Sequence, residues 1–357
     1  MKKSNMLKTI LVVSLTSGPA VFAEDTSTDS NAVPAISYAP EILPGNGLAQ
    51  HPFLCCGEND GHRSAQTMSV VRDGKVVWSF SIPMMEYNEF QEIGSCFMRP
   101  DGNIVFSRQH GASIITPDKK IIWNYDAPPD AVPKSFFPWE SEIHVVSPAG
   151  PDRILMVISQ VPKSKAMIIN TKTGVTEKEV ELPTPNKGPH LNFRRVHLTK
   201  TGTMIAAHLQ EGKVVEYDWS GKEIWSVKTP WPWSVVRLDN GNTLIAGNAP
   251  TGTYVHEVNP QGEVVWEFTQ KDCPDYKITQ FDEAARLANG NTTIVNWPVF
   301  GPKKTDWLKT VQVLEVTPDK KVVWALRSWS PPNDLGPLSA IQLLDEPSNV
   351  ESLDYQR

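Results

Sequence analysis

The chain is short of long apolar runs, basic charge, cysteine and helical periodicity, and each shortage removes a class of protein. A membrane-spanning helix needs about 20 consecutive apolar residues. The most apolar stretch, Ile10–Leu15, is far shorter, so no membrane span is expected. Lys2, Lys3 and Lys8 lie before or around that stretch, and the small residues of Ala20-Val21-Phe22-Ala23 follow it. Residues 1–23 therefore read as a signal peptide cleaved near Ala23, which places the mature protein in the periplasm or outside the cell. The formal charge is -6, and residues 1–23 hold three lysines and no acids, so the body after them is more acidic still. Phosphate binding needs clustered basic charge, so nucleic acid is not expected as a partner.

Only four cysteines are present, Cys55, Cys56, Cys96 and Cys273, at no zinc-binding spacing. Export permits disulfides. A vicinal Cys55-Cys56 bond, a bond from either to Cys96, and buried thiols acting as small hydrophobes are all compatible with the sequence. No metal motif stands out. No 3.6-residue apolar period is sustained, which excludes helical bundles and helical repeats.

What the sequence does have is repetition. Asp73–Phe80 (DGKVVWSF), Asp118–Tyr125 (DKKIIWNY), Gln261–Phe268 (QGEVVWEF) and Asp319–Leu326 (DKKVVWAL) are near-copies, and Ser220–Val227 (SGKEIWSV) is a fifth. A weaker copy, Thr173–Val180, has Lys178 at the tryptophan position. The intervals between these positions are then 45, 55, 47, 41 and 58 residues. A second element, with Asp-Gly, Thr-Gly or Asn-Gly between apolar runs, recurs at Arg99–Ser107, Thr199–Ala207, Leu238–Ala246 and Leu287–Val295. These are hairpin signals.

One whole unit is legible as four strands: Ser234–Leu238, Thr243–Ala246, Tyr254–Val258 and Glu263–Phe268. Four short strands per 40–50 residues is the period of a propeller blade. The last apolar run, Ser339–Leu344, resembles a first strand with no second after it. Pro52–Cys56 resembles a second strand with no first before it. The expected fold is therefore all-β: a six-bladed β-propeller of four antiparallel strands per blade, with the C-terminal strand closing the first blade. Residues 24–46 read as a polar, proline-containing linker and 47–357 as one propeller domain. Trp78, Trp123, Trp225, Trp266 and Trp324 are expected to wedge between blades.

The outer-strand signature (turn, Gly or Lys, two aliphatics, Trp, aromatic) resembles the PQQ-like propeller repeat. The stretch DNGNTLIAGN…VHEVNPQGEVVWEF also resembles the bacterial arylsulfotransferase-like propellers. The resemblance covers residues 51–345. It implies a propeller, and in the sulfotransferase case a histidine nucleophile. The residues themselves call for no cofactor. The resemblance alone brings in PQQ, because PQQ enzymes hold a vicinal cysteine pair against the quinone and Cys55-Cys56 matches that feature. Their eight blades and longer chains do not match, and no cluster of calcium ligands is evident.

In a propeller, the second-to-third-strand loops and the blade-to-blade connections open on one face. The former supply Glu58, Asn59, His62, Arg63, Arg108, His110, His208, Asn248, Asn296 and Trp297. The latter supply Tyr87, Glu89, Glu92, Trp139, Glu140, His190, Arg194, Trp231, Trp233, Asp275, Tyr276 and Lys277. Arg108, His208, Gly247 and Asn296 stand at equivalent distances from their hairpin glycines, and a ring around the channel mouth is expected from them. The insertion Pro298–Trp307 is expected to cover that face as a lid. His144 and His197 fall in innermost strands and read as core histidines.

Aromatic platforms, histidines, carboxylates and arginines on one face suit a glycan or small-molecule ligand. The expected activity is a lyase or hydrolase on acidic (uronate or sulfated) sugars. Arg108 or Arg63 would pair with the anion. His208 or His110 would transfer the proton, with Glu58 and Glu140 as partners. Tyr87, Trp139, His190, Trp231, Trp233, Asn248, Asn296 and Trp297 would bind the substrate. The alternatives are sulfuryl transfer and a non-catalytic scaffold that binds a protein partner.

Overall fold

The computed structural model describes residues 38–61, 63–86, 89–127, 141–160, 163–184, 189–301 and 303–346. It is the six-bladed propeller that the repeat implies, each blade an antiparallel sheet of four strands. From the channel outward, blade one is Ala340–Leu343, Phe53–Cys56, Ala65–Arg72 and Lys75–Pro83. Blade two is Cys96–Met98, Ile104–Arg108, Gly111–Ile115 and Ile121–Asp126. Blade three is Ser141–Pro148, Arg153–Gln160, Lys163–Asn170 and Thr176–Pro183. Blade four is Phe193–Leu198, Met204–His208, Lys213–Tyr217 and Glu223–Lys228. Blade five is Pro232–Arg237, Thr243–Ala249, Gly252–Val258 and Val264–Thr269. Blade six is Phe281–Arg286, Thr292–Asn296, Val313–Val316 and Val322–Leu326. Each innermost strand contacts the next around the ring, and that of blade six contacts Ala340–Leu343. Among the described residues no helix is long and apolar enough to cross a membrane.

The turns follow from their glycines. Gly102, Gly202, Gly241 and Gly290 end the first hairpin of blades two, four, five and six with φ of 80–88°. Only glycine takes that conformation without strain.

Closure works as the unmatched ends suggest. Ala340–Leu343 pairs with Phe53–Cys56, Cys56 opposite Ala340 and Phe53 opposite Leu343. Ser339 N donates to Cys56 O (3.0 Å) and Leu344 N to Pro52 O (2.8 Å). All four residues of Phe53–Cys56 are buried. The four cysteines are thiols. Burial pushes the Cys55 thiol far above its usual range and that of Cys273 up to about 12, so neither is a reactive thiolate. Within the segment read as linker, residues 38–46 lie against the propeller: Lys277 N donates to Tyr38 O (2.9 Å), and Ala325 N to Pro44 O (3.2 Å).

Outer-strand tryptophans tie several blades to the next. Trp78, Trp225 and Trp266 donate through Nε1 to the carbonyls of Pro117 (2.9 Å), Pro260 (2.8 Å) and Pro318 (2.8 Å), each in a turn of the following blade. Trp324 donates to Gly47 O (2.9 Å) at the seam. Arg237 and Arg286, from the following blades' innermost strands, stack on Trp225 and Trp266 (4.5 and 5.4 Å). They also pair with Glu216 (2.6 Å) and Glu257 (2.8 Å) of the preceding blades. At the seam His51 takes the arginine's place against Glu315 (3.0 Å). Between blades three and four the partners are exchanged: Lys178 stands where the tryptophan would be, 5.2 Å from the ring of Trp219, which occupies the turn position of the proline.

Candidate functional site

A strand packed on both faces should be apolar, yet several innermost strands carry charged residues near their start. The reason is a bulge that recurs at one place. The register shifts between Glu142 and Val145 in blade three, Phe193 and Val196 in blade four, Pro232 and Ser234 in blade five, and Phe281 and Glu283 in blade six. A bulge adds a residue and re-aims side chains. The bulged residues include His144, Arg194, Arg195, Trp233 and Asp282. With Glu58 from blade one, Glu92 from the connection into blade two, Glu142, and His190 from the turn before blade four, they form one polar cluster.

His144 lies at its centre. Its Nε2 is 3.5 Å from Glu58 Oε1, and its Nδ1 is 3.6 Å from Glu92 Oε2 and 3.4 Å from Glu142 Oε1. Arg194 donates through Nη1 to His144 Nε2 (2.9 Å) and through Nη2 to His190 Nε2 (2.9 Å). Its guanidinium lies 4.2 Å from the Trp233 ring centre. His190 Nδ1 meets Glu142 Oε2 at 2.8 Å, and Gln109 Nε2 donates to the same oxygen at 3.2 Å. The His190 side chain is 29% exposed, whereas those of Glu58, Glu92, Glu142 and His144 are buried.

Beside this cluster Arg195 ties the inner ends of the blades together. It donates to Gly94 O of blade two, to Ser339 O of blade one (2.9 Å) and to Glu283 of blade six (3.2 Å).

The environments push these groups apart. Burial, then Glu92 and Asp282, raise the Glu58 carboxyl well above the carboxylate range. Glu92 is raised to about 6, chiefly by burial. Burial also raises Glu142, but His190 bonded to its Oε2, with Arg194 and Gln109, outweighs it and holds this carboxyl below its usual value. Burial, then Arg194, His190 and Arg195, drive His144 well below the usual imidazole value, so it stays neutral. The site therefore favours the neutral form of the Glu58 carboxyl and of the His144 imidazole while it favours the ionised form of Glu142. Carboxyls driven apart in this way can serve as proton donor and acceptor. Glu92, His144 and His190 also bring ligand atoms within 4.8 Å of one another, a spacing that could hold a metal ion. There the Arg194 guanidinium already engages a nitrogen of each imidazole.

Of the residues expected on the loop-bearing face, the fold brings Glu58, Glu92, His190, Arg194 and Trp233 together. Trp297 Nε1 donates to Glu58 O (3.1 Å), and its ring lies 6.2 Å from that of Trp233. Asn248, its amide turned to satisfy both neighbours, accepts from Trp233 Nε1 (2.9 Å). Trp231 is on the surface.

The expected ring of Arg108, His208, Gly247 and Asn296 does not gather around this cluster. His208 is buried in blade four between Glu211 (3.2 Å) and the Tyr217 hydroxyl (2.9 Å). Arg108 bonds Ser113, Asn124 and Asp126 of its own blade. His110 sits in a blade-two turn, its carbonyl accepting from Ala127 N (2.9 Å). Arg63 pairs with Asp60 and donates to Asp334 O and Leu335 O, anchoring the closing segment. Asn296 is buried and holds Thr279 N and Val311 O. Tyr87, Trp139, Glu140 and His62 lie outside the described residues. In the insertion expected as a lid, Phe300 is 73% exposed, while Trp307 is buried against Trp329.

Sequence reasoning missed Glu142, Arg195 and Asp282, and it read His144 as core. A signal was present: Glu142-Ile143-His144, Arg194-Arg195 and Asp282-Glu283 each place charge inside an otherwise apolar innermost strand.

No protein-family model and no curated protein matches the chain. Among solved structures it is similar to a protein of unknown function from Bacteroides caccae, at 23% identity over 81% of this chain and 98% of that one, with a TM-score of 0.67. It is more distantly similar to a catalytically inactive virginiamycin B lyase from Staphylococcus aureus with quinupristin (13% identity, 80% and 88% covered, TM-score 0.49). A third similarity is to BamB from Moraxella catarrhalis (12%, 65% and 67%, TM-score 0.42). Identities this low carry the fold alone: this six-bladed propeller is distantly similar to several propeller proteins, and neither the PQQ-like nor the arylsulfotransferase family in particular is shown.

Proposed function

We propose that the bulge cluster is the catalytic centre of a lyase acting on acidic sugars. The observation that carries this reading is the Glu142–His190 pair: an ionised carboxylate holds Nδ1 of the one partly exposed imidazole in an otherwise buried charged cluster. A carboxylate on Nδ1 fixes the tautomer whose Nε2 accepts a proton. Nε2 is capped by Arg194. A uronate carboxylate would draw the guanidinium to itself by bidentate pairing. That movement uncovers Nε2 beside the carbon whose proton the uronate makes acidic. The neutral carboxyl of Glu58 is suited to protonate the leaving glycosidic oxygen. Trp233, beneath Arg194, backs the binding surface. We infer that this activity lies outside the cytoplasm, on the reading of residues 1–23 as a signal peptide.

The test is incubation with uronate-containing and sulfated oligosaccharides, with products examined by ultraviolet absorbance and mass spectrometry. An unsaturated uronide, absent with His190→Ala and with Glu142→Gln, is the expected result. Products carrying added water would mean hydrolysis. Desulfation of an aryl sulfate would move the reading to sulfuryl transfer at the same imidazole. Turnover undiminished in His190→Ala overturns the site.

A further inference from the structure

Trp231 stands between two prolines in Pro230-Trp231-Pro232, and its φ is +44°. A bulky residue in that left-handed region is strained, and such strain persists only where the surroundings impose it. Here they do. The Trp231 carbonyl accepts from Asn248 N (3.1 Å), and the Tyr254 hydroxyl donates to Pro230 O (2.6 Å) and meets Thr229 Oγ1 (2.7 Å). The neighbouring position must be glycine: a Cβ on Gly247 would lie 2.4 Å from the Tyr254 hydroxyl and 2.8 Å from the Trp231 carbonyl.

All this fixes the backbone that carries an indole the fold does not bury. Trp231 is 46% exposed, so packing returns little for the strain. Two residues on, about 7 Å along an extended chain, Trp233 carries the Arg194 guanidinium. Trp233 also opens an aromatic series outward, through Trp297 (6.2 Å) to the exposed Phe300 (4.9 Å from Trp297).

We infer that Trp231 is a pre-set stacking platform for a second sugar ring, next to the one held at the bulge cluster, so that the substrate is an oligosaccharide. An exposed indole face suits a pyranose, which has an apolar face to stack on it. Rigid placement lowers the ordering cost of binding. The inference rests on the acidic-sugar reading of the cluster.

The experiment uses the full-length His190→Ala protein, which binds without turnover, titrated calorimetrically with a uronic acid monosaccharide and its di- and tetrasaccharides. Affinity should rise with length. Adding Trp231→Ala should remove about tenfold of that rise, the scale of one aromatic stacking contact, and leave the monosaccharide unchanged. Trp231→Phe should keep most of it. Trp231→Gly should lose the rise yet melt no lower than its parent, because glycine relaxes φ. An unchanged rise in Trp231→Ala, or equal weakening at every length, overturns the second subsite and leaves the cluster reading standing. Absence of binding by any of the saccharides to the parent overturns both.

Discussion

The junctions between blades and the cluster at the inner ends of the strands are built on the same repeat and use it in opposite ways. At the junctions one device recurs: an indole N–H to a turn carbonyl, with an arginine stacked on the ring and paired to a glutamate. At the inner ends one position recurs, but its occupants differ. The bulge presents His144 in blade three, Arg194 and Arg195 in blade four, Trp233 in blade five and Asp282 in blade six. Repetition serves stability, because each interface has the same work to do. Difference at a repeated place gives chemistry, because a site needs unlike groups converging.

The comparison is broken most severely at the seam. Ending the chain before Ser339 removes the strand that covers Phe53–Cys56, so the truncated protein is expected to show no cooperative thermal transition by calorimetry. A normal melt would mean that the ring does not need its clasp.

Next, Trp266→Ala should lose about 3–5 kcal/mol in denaturant unfolding, the usual cost of deleting a large packed ring, while turnover per folded molecule persists. Glu58→Gln should do the reverse. It removes turnover with little change in midpoint, because burial already favours the uncharged form of this carboxyl and the amide has a similar shape. Equal stability losses in the two variants would dissolve the distinction.

The smallest effect is in the dependence on pH. Glu315 and Asp345 bond both nitrogens of His51 and raise its pKa, outweighing its burial. A raised folded pKa means that the contribution is complete below the unfolded value of about 6.5 and fades as pH rises through the folded one. Glu315 is lowered, its bonds to His51 and Asn291 outweighing its burial, so its share is lost only in acid. The stability difference between wild type and His51→Gln should therefore shrink from pH 6 towards alkaline pH. A difference that grows instead would contradict the assignment.

The junctions were legible in the sequence because repetition marks them: Trp225 and Trp266 fall in near-identical strands, and Pro260 and Pro318 open near-identical turns. The closing strand was legible because each chain end lacked what the other had. The cluster was legible only in part. Sorting the loops by the face they open on found Glu58, but counting from hairpin glycines selected His208 and Arg108, whose contacts close within their own blades. That count fixes a position along a strand and cannot say which way a bulge turns it. His144 looked like core because period-two reasoning fails where the register slips. The exchange of Lys178 and Trp219 was visible only as a missing tryptophan, since the compensating ring lies in another blade.

The shared first blade also has a consequence for biosynthesis. Three of its strands belong to the first quarter of the chain and the fourth to its last twentieth. While the intervening blades are being made, Phe53–Cys56 has one edge with no partner, and an unpaired apolar edge invites other chains. The ring can close only after the strand Ala340–Leu343, which follows all the intervening blades in the chain, reaches Phe53–Cys56, so the state most open to wrong partners is the nearly complete propeller.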